Sequence, residues 1–341
     1  MLIVRPVQLR DLGAMLELAK QAYPGMTTFP PDEEALGKKI ATSLDSMKKE
    51  VTEPGQETYM LVMEDTETTE IVGTASIISR LGEHDQFYSY KLNKMTYSHK
   101  PLDKKVNVGS LLLSNHFEGF AEVATLYLNK DYRKNGNGKL LARSRYLFMA
   151  QFRERFPEQV MADLRGYYNK EGKSPFWEAI GRNFFDMEFS DADLYGALNG
   201  NQFIADLMPK QPIYINLLPK DAQDAIGRPN DQGKGALAML EKEGFRWNGH
   251  VDIFDGSPSV DVFIDQLHTV RDSEVLIVSE SGSSESGEDD MQCLVSNANL
   301  ASYAACVSSV HKAGDNSVIL PQATLTALQL APGDAVRIVS A

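Results

Sequence analysis

The chain has 341 residues, of which 43% are hydrophobic and 24% charged, and its formal net charge at pH 7 is −13. This length is enough for a sizeable core and for two domains, and the composition is that of a globular protein. The negative charge argues against nucleic acid or an anionic membrane as a partner. No apolar run approaches the roughly 18 residues that a membrane span needs, and no signal peptide opens the chain, so we expect a cytoplasmic location.

Cysteine and histidine are sparse. Cys293 and Cys306 have no metal-ligand spacing and do not suggest a disulfide framework, so a reducing compartment is expected. The six histidines are scattered along the chain without a His-Glu-x-x-His or similar pair. We therefore predict no catalytic metal.

The first third of the chain predicts a strand, a helix and a β-hairpin. Residues 2–6 form a short predicted strand, and Asp11 is the predicted N-cap of the helix that follows. The apolar positions of that helix repeat at i, i+3, i+4 and i+7, at Leu12, Met15, Leu16 and Ala19. Residues 59–63 and 71–78 are β-prone and are joined by an acidic turn.

A strand over 123–128, a glycine-containing loop and a helix over 140–152 are predicted next. The loop reads Arg133, Lys134, Asn135, Gly136, Asn137, Gly138 and Lys139. Glycines there leave backbone N–H groups bare at a helix N-terminus, where the helix dipole also favours an anion, so the loop predicts a pyrophosphate site. A Walker A loop and a dinucleotide fingerprint do not fit, because Arg133, Leu140 and Leu141 stand at positions that those motifs reserve. An ordinary glycine-rich turn is the alternative.

The Arg-x-x-Gly-x-Gly sequence after a strand resembles the coenzyme A pyrophosphate loop of the GCN5-related N-acetyltransferase superfamily. The order of predicted elements is also that of the superfamily, with residues 161–166 as the next strand and 238–245 as a late helix ending in Gly-Phe. The resemblance implies an α+β fold with a mixed sheet flanked by helices. It also implies that Leu126 and Leu128, through their backbone, join residues 133–139 in binding coenzyme A.

Over almost its whole length the chain resembles a closer family, the bacterial arginine N-succinyltransferases. The sequence blocks that carry this resemblance are DYRKNGNG at 131–138, SPFW at 174–177, GRNFF at 181–185, LMPK at 207–210, PIY at 212–214, LEKEGF at 240–245 and DIFDG at 252–256. The family moves the succinyl group of succinyl-CoA to the α-amine of arginine, and in some members of ornithine, in arginine catabolism. The resemblance implies the same reaction here, with an acyl-CoA as co-substrate rather than a bound cofactor, and a homo-oligomer or a hetero-oligomer with a paralogous subunit.

Several positions depart from the family's pattern. Asn230 stands where the family has a histidine that is regarded as its proton-transfer residue, and Tyr97 replaces another family histidine. A family Asn-Asp-His-Thr-Gly block appears here as Asn-His-Phe-Glu-Gly at 115–119. An amide cannot shuttle protons near neutral pH as imidazole does. Three interpretations stay open: a succinyltransferase working without the histidine, an acyltransferase with another donor or amine, and a CoA-binding, non-catalytic subunit.

Proton transfer has four candidate residues. Asn230 occupies the family's position, and Tyr97 and His250 are the other protic side chains near family blocks. Glu122 lies beside the cofactor strand and is either a general base acting through water or a strand-edge charge.

Binding of the substrates of this family requires charged residues of both signs. The guanidinium of an arginine acceptor needs carboxylates, for which Asp252 and Asp255 are candidates, although the second is also well placed to form a turn with the glycine after it. The carboxylate of a succinyl group needs a cation, and Arg165 or Arg182 could supply it or could be a structural ion-pair partner.

Three segments are predicted along the chain. Residues 1–272 form the acyltransferase domain, 273–292 an acidic flexible linker, and 293–341 a small β-rich element without obvious chemistry. The linker prediction rests on the polar, acidic, low-complexity run over 279–290. We expect the last segment to pack on the main domain, beside residues 275–278.

Overall fold

The computed structural model describes residues 1–22, 26, 28–83, 86–200, 202–231, 233–282 and 290–341. The strands in this part of the chain are β1 (Leu2–Pro6), β2 (Thr58–Asp65), β3 (Ile71–Ile78), β4 (Ser89–His99), β5 (Lys104–Ser114), β6 (Ala121–Leu128), β7 (Gln159–Asp163), β8 (Ile213–Tyr214), β9 (Arg246–Asp252), β10 (Pro258–Phe263), β11 (Glu274–Gly282), β12 (Met291–Asn297), β13 (Ala305–Lys312), β14 (Ser317–Pro321) and β15 (Ala335–Ser340).

The helices are α1 (Leu12–Ala22), α2 (Glu33–Lys48), α3 (Asn137–Gln151), α4 (Pro175–Ala179), α5 (Gly181–Phe185), α6 (Phe189–Asn199), α7 (Gln202–Leu207), α8 (Lys220–Ala225), α9 (Gly233–Glu243), α10 (His268–Arg271) and α11 (Gln322–Leu328). No helix within the described residues has both the length and the apolar character that a membrane crossing requires.

The strands join into one mixed sheet in the order β12-β15-β11-β14-β13-β1-β2-β3-β6-β7-β10-β9-β4-β5-β8. The neighbours β6 and β7 are parallel, as are β11 and β14, and the other neighbours are antiparallel. The predicted strand, helix, hairpin, strand, loop, helix and strand occur in this order from β1 to β7, but the structure adds the helix α2 before the hairpin and the strands β4 and β5 after it. The α+β prediction is confirmed.

The middle of the sheet carries helices on both faces, because alternate residues of a strand point to opposite sides. Met60 and Val62 of β2 pack with α1 and α2. Their neighbours Tyr59, Leu61 and Met63 pack instead with the apolar face of α3. In the same way, Val123 and Leu128 of β6 belong to the core beneath α3 and Tyr127 packs against the core of α1 and α2, so β6 is held between two hydrophobic cores.

The helix α1 begins directly after Asp11, as predicted, but the Asp11 carboxylate does not cap it. Asp11 Oδ2 accepts hydrogen bonds from Gln8 N and from Arg5 Nη1, both at 2.8 Å. Arg5 also contacts Glu64, so the carboxylate belongs to a buried ion-pair cluster. The N-cap prediction is wrong because a charged partner competes with the helix end for the same oxygens.

The chain after α10 forms a β-rich unit around α11, with a core that includes Leu276, Val295 and Leu325. This unit continues the main sheet, because β13 pairs with β1 at Val4–Ala305. Strand β11 lies between β14 and β15, which is the packing expected for residues 275–278.

The predicted linker over 273–292 is wrong for residues 274–282. These residues form β11, whose backbone pairs with β14 as far as Gly282, and the pairing outweighs the polar composition of the strand's end. Asp290 is bonded to the C-terminal unit through Ser309 Oγ. Residues 283–289 of the predicted linker lie outside the described residues.

The other edge of the sheet is covered by short helices. Trp177 of α4 packs there with Tyr90, Leu111 and Phe254 in a separate hydrophobic cluster. Beyond this cluster the β4–β5 hairpin extends away from the body, and its outer residues are exposed.

Candidate active site

A cavity of about 1020 Å³ opens where β6 and β7 separate. Among the described residues, the two strands pair only at Ala121–Val160 and Glu122–Met161, and β6 then continues to Leu128. The cavity runs from the glycine loop (residues 133–139) along β6 to the acidic turn after β9. Its volume is at the upper end of the range of ~300–1,000 Å³ that is typical of ligand sites.

The strand β6 has a β-bulge at Thr125, where φ is +52°. The register with β3 shifts at this point, between Thr74 and Ser76. A positive φ is costly for a β-branched residue, and a bulge turns backbone groups out of the regular ladder. Leu126 and Leu128 follow the bulge and line the cavity. The edge of β6 that faced β7 is therefore open to a ligand, which agrees with the predicted role of its backbone.

The glycine loop leads directly into α3. Gly136 has a φ of +78° and ends the loop in a left-handed conformation that favours glycine. Nothing lies within 4 Å of the position that a Cβ on Gly138 would take, so the space above the helix N-terminus is open. Arg133 Nε donates to Leu128 O (2.9 Å), and Asn137 Nδ2 donates to Tyr132 O (2.9 Å). These two side chains hold the loop in shape.

Backbone donors in the loop are partly unused. The N–H groups of Asn137 and Lys139 donate to Lys134 O (3.0 Å) and Gly136 O (2.9 Å). Within the described residues, the N–H groups of Asn135, Gly136 and Gly138 have no acceptor. Three free donors at a helix N-terminus are what the pyrophosphate prediction requires.

Glu122 lies where the two strands begin to separate, and its side chain is almost fully buried. Burial raises the pKa of Glu122 to about 8, and the nearby Asp163 adds to the shift, whereas Lys39 and Arg145 oppose it. Arg145 Nη1 donates to Ala124 O (3.2 Å) and supports β6 from beneath. A carboxyl group that ionises near neutral pH is suited to accepting a proton from a substrate.

Three aspartates line the far end of the cavity, and of these Asp255 is buried whereas Asp163 and Asp252 are partly exposed. Burial raises the pKa of Asp163 to about 7, and it raises the pKa of Asp252 well above its usual range, with the charges of Asp255 and Asp163 adding to the shift. Asp255 Oδ2 accepts from Gly166 N (2.6 Å), and Asp252 Oδ1 accepts from Phe254 N (2.8 Å). Asp252 and Asp255 therefore shape the turn and also line the cavity, so the two interpretations of these residues are compatible.

Arg165 and Asn230 meet at the same wall of the cavity. Asn230 N donates to Arg165 O (2.9 Å), and Asn230 Oδ1 accepts from Gly233 N (2.5 Å) at the start of α9. Arg165 Nη2 donates to Ala22 O. Burial lowers the pKa of Arg165, and the nearby Asp193 and Asp255 oppose this shift. The structure thus brings the predicted cation into the site, and it gives Asn230 a structural contact besides its place on the cavity wall.

Two predicted residues do not reach the cavity. Tyr97 is 49% exposed on the β4–β5 hairpin, and its hydroxyl contacts Met95 Sδ at 3.6 Å. Arg182 is paired with Glu178 (3.3 Å) and Glu188 (2.7 Å), which is the structural alternative for this residue. In both cases, a position in or near family sequence blocks did not bring the side chain to the cavity.

His250 is also outside the residues that line the cavity. Its ring stacks on His116 with the ring centroids 4.4 Å apart, and its Nδ1 lies 3.2 Å from Ser89 Oγ. Burial lowers the pKa of His250 to about 4, and the charges of Lys91 and His116 act in the same direction. A neutral, packed imidazole at this place is a core residue of the sheet.

The sequence analysis missed Lys39 and the helix α2 that carries it. Lys39 lines the cavity close to Glu122. The signal for the helix was present, because Asp32 caps it through Ala35 N (2.8 Å) and acidic residues occupy its first turn. Its buried positions Leu36 and Ile40 have helical spacing. The role of Lys39 had no local signal.

Comparison with known proteins identifies the family of this chain. The family model of the arginine N-succinyltransferase beta subunit matches residues 2–269, and that of its C-terminal domain matches 275–340. Arginine N-succinyltransferases of Escherichia coli O139:H28 and of Shigella flexneri are each 38% identical over 339 residues, which is 99% of this chain and 97% of the relative.

A solved structure is similar over the full length. Subunit AI of the arginine/ornithine succinyltransferase from Pseudomonas aeruginosa superposes with a TM-score of 0.89 at 31% identity, covering 100% of this chain and 98% of that one. The match to known relatives therefore covers the whole chain. It includes the glycine loop, the strands β6 and β7 and the cavity between them. The chain belongs to the arginine N-succinyltransferase family.

Proposed function

We propose that this protein transfers the succinyl group of succinyl-CoA to the α-amine of arginine, or of ornithine, in arginine catabolism. The observation that carries the proposal is the cavity that joins the free N–H groups of the glycine loop to the open edge of β6 and to the carboxylates of Asp252 and Asp255 at the end of β9. The substrates are those named for its relatives, the arginine N-succinyltransferases and the arginine/ornithine succinyltransferase.

The acyl-CoA occupies the loop end of the cavity. Its pyrophosphate accepts hydrogen bonds from the free N–H groups of Asn135, Gly136 and Gly138, and Lys134 and Lys139 add positive charge at the cavity wall. The pantetheine arm runs along the open edge of β6, past Leu128 and Leu126. This path directs the thioester towards Glu122, and the acyl-CoA is a co-substrate that leaves as free coenzyme A.

The acceptor occupies the acidic end. A guanidinium between Asp252 and Asp255 would make charge-assisted hydrogen bonds to both carboxylates, which are costly to ionise without a cation beside them. Binding of arginine should lower the pKa values of these groups. The aspartates would then ionise as the guanidinium of the acceptor binds between them.

The reaction forms a C–N bond and breaks the C–S bond of the thioester. The neutral amine attacks the carbonyl carbon, the open backbone donors of β6 stabilise the oxyanion, and coenzyme A leaves as a thiolate that takes up a proton. Glu122 receives the proton that the amine releases, directly or through water. Asn230 caps α9 at the cavity wall and does not transfer a proton.

A thiol-release assay tests the proposal. The purified chain should release coenzyme A thiol from succinyl-CoA with arginine or ornithine, and much more slowly with lysine or without an amine. Mass spectrometry should find the succinyl group on the α-nitrogen. Turnover of an unrelated amine in preference to both amino acids, or no turnover with any acceptor, would overturn the proposed function.

The wider setting is also part of this proposal. We infer an oligomer of this chain with itself or with a paralogous subunit, because the family model and the Pseudomonas relative are both described as subunits. Cys293 and Cys306 are free and buried, which fits the predicted reducing, cytoplasmic compartment. Light scattering of the purified chain would show a mass above that of one 37.8 kDa chain.

A further inference from the structure

Lys39 is a charged residue of the cavity that the proposed reaction does not yet use. It is only partly exposed and lines the cavity wall, and no acceptor within the described residues lies within hydrogen-bond or ion-pair range of its Nζ. Its sequence neighbour Lys38 is different, since it is exposed and paired with Glu34 at 2.7 Å. A cation left unpaired beside a cavity is costly unless an anion reaches it.

The charged groups around Lys39 do not neutralise it. Glu122 is the carboxyl that acts on it, and burial keeps that carboxyl largely protonated near neutral pH, because its pKa is raised to about 8. Arg145 is a second cation near Glu122, and burial raises the pKa of the nearby Asp163 to about 7, so this carboxyl is only partly ionised at neutral pH. This part of the cavity therefore carries net positive charge, in contrast to the acidic end near Asp255.

The fold fixes the position of Lys39. Helix α2 is anchored to β2 by two buried hydroxyls: Met60 N donates to Ser43 Oγ (2.8 Å), and Thr58 N donates to Ser46 Oγ (3.0 Å). The backbone of a lysine on a helix held in this way is in place before binding, so only its side chain has to be ordered when a ligand arrives.

The direction of β6 identifies the anion. The glycine loop follows the C-terminal end of β6, so an acyl-CoA bound there runs towards the N-terminal end, where Glu122 faces Lys39. A succinyl group differs from an acetyl group by a carboxylate that extends beyond the thioester in this direction. We infer that Lys39 forms a binding site for the terminal carboxylate of the acyl group and makes the enzyme selective for a dicarboxylic acyl donor.

This inference rests on the proposed function, and its test uses both activity and binding. Lys39→Met should lower kcat/KM for succinyl-CoA by roughly 10- to 100-fold, the loss expected for one charge-assisted contact, while kcat/KM for acetyl-CoA stays within about threefold. Lys39→Arg should restore most of the preference, and Lys38→Met is the matched control that leaves both donors unchanged. Calorimetry without an acceptor should show weaker binding of succinyl-CoA, and not of acetyl-CoA, to Lys39→Met.

Three results would overturn the inference. Equal losses with both donors, together with a shifted pH profile, would show that Lys39 acts on Glu122 instead. A loss seen with arginine but not with agmatine, which lacks the α-carboxylate, would assign Lys39 to the acceptor. Unchanged donor preference in a folded Lys39→Met protein would show that the carboxylate binds elsewhere. If the wild-type protein does not turn over arginine, the proposed function is wrong. Calorimetry of succinyl-CoA and acetyl-CoA binding still tests the role of Lys39 in that case.

Discussion

The two ends of the cavity are built in different ways. At the loop end, the ligand-facing groups are the backbone N–H groups of Asn135, Gly136 and Gly138 and the open edge of β6. In the middle of the cavity and at the acidic end, they are side chains from segments far apart in the sequence, namely Lys39, Glu122, Asp163, Arg165, Asn230, Asp252 and Asp255. The first end needs a local conformation, whereas the second needs particular functional groups brought together by the whole fold.

This difference predicts different consequences of substitution. Replacing a side chain at the loop end changes little unless it blocks the backbone, because the donors belong to the main chain. Replacing a side chain at the acidic end removes the chemical group itself. Loop variants should therefore alter the affinity for coenzyme A, and variants at the other end should alter turnover and selectivity.

Glu122→Gln is expected to have the largest effect on turnover. Loss of the general base should lower kcat by about 100- to 10,000-fold, with the affinity for coenzyme A unchanged. In the wild-type protein kcat should rise with pH as Glu122 ionises around its pKa of about 8, and this rise should be lost in the variant. Stopped-flow thiol release between pH 6 and 9.5, with isothermal titration of coenzyme A, measures both quantities.

The stability of Glu122→Gln provides the control. The folded-state pKa of Glu122 is raised from 4.5 to about 8, so its contribution to the free energy of unfolding is full below its unfolded-state pKa and is lost as pH rises through the folded-state pKa. The glutamine variant should therefore gain melting temperature relative to wild type between pH 6 and 9. A variant that loses coenzyme A affinity along with turnover would contradict the separation of the two ends.

Gly138→Asp is expected to have the next largest effect, and only on the cofactor. A Cβ fits at this position, but a carboxylate would project into the open space above the helix N-terminus. Like charge and competition for the free N–H groups should raise the Kd for coenzyme A by roughly 10- to 100-fold. Gly138→Asn has the same shape without the charge and should be much milder. Equal affinities of wild type and Gly138→Asp would place the pyrophosphate elsewhere.

The same contrast explains how much of the structure could be predicted from the sequence. The strand, loop and helix at residues 123–152 were predictable, because hydrophobic periodicity, glycine positions and backbone donors are all local properties. The structure has these elements as Ala121–Leu128 and Asn137–Gln151. The α+β class followed from the order of such local units.

The acidic end could be predicted only in part. Asp252 and Asp255 were named from a family block, Asn230 from the position of a family histidine, and Arg165 as a cation for the succinyl carboxylate, and all four line the cavity. The shifted pKa values of Asp252, Asp255 and Arg165 depend on segments that come together only in the folded chain. Tyr97 was named because it replaces a family histidine, but it lies exposed on the β4–β5 hairpin and outside the cavity.

Asn230→His should have a moderate effect that depends on pH. The new imidazole would stand on the cavity wall and could accept a proton at pH 7, where Glu122 is still largely protonated. The kcat should therefore rise several-fold at pH 7, and less at pH 9. The lost hydrogen bond from Gly233 N should cost about 1 kcal/mol of stability, and Asn230→Asp, which keeps that bond, is the control. An equal change in kcat at both pH values would show that residue 230 does not reach the reacting amine.

His250→Phe should have the smallest effect on turnover, because His250 lies outside the cavity wall. Its folded-state pKa is lowered to about 4, whereas an unfolded chain protonates it near 6.5. The unfolded state therefore takes up a proton first as pH falls, and the stability that the neutral ring contributes is lost between these two values. Phenylalanine can keep the stack on His116 and cannot be protonated, so the variant should lose less melting temperature than wild type between pH 7 and 4.5. Its kcat should stay within about twofold. A folded His250→Phe protein with strongly reduced kcat would instead make His250 part of the reaction, as the sequence alone had suggested.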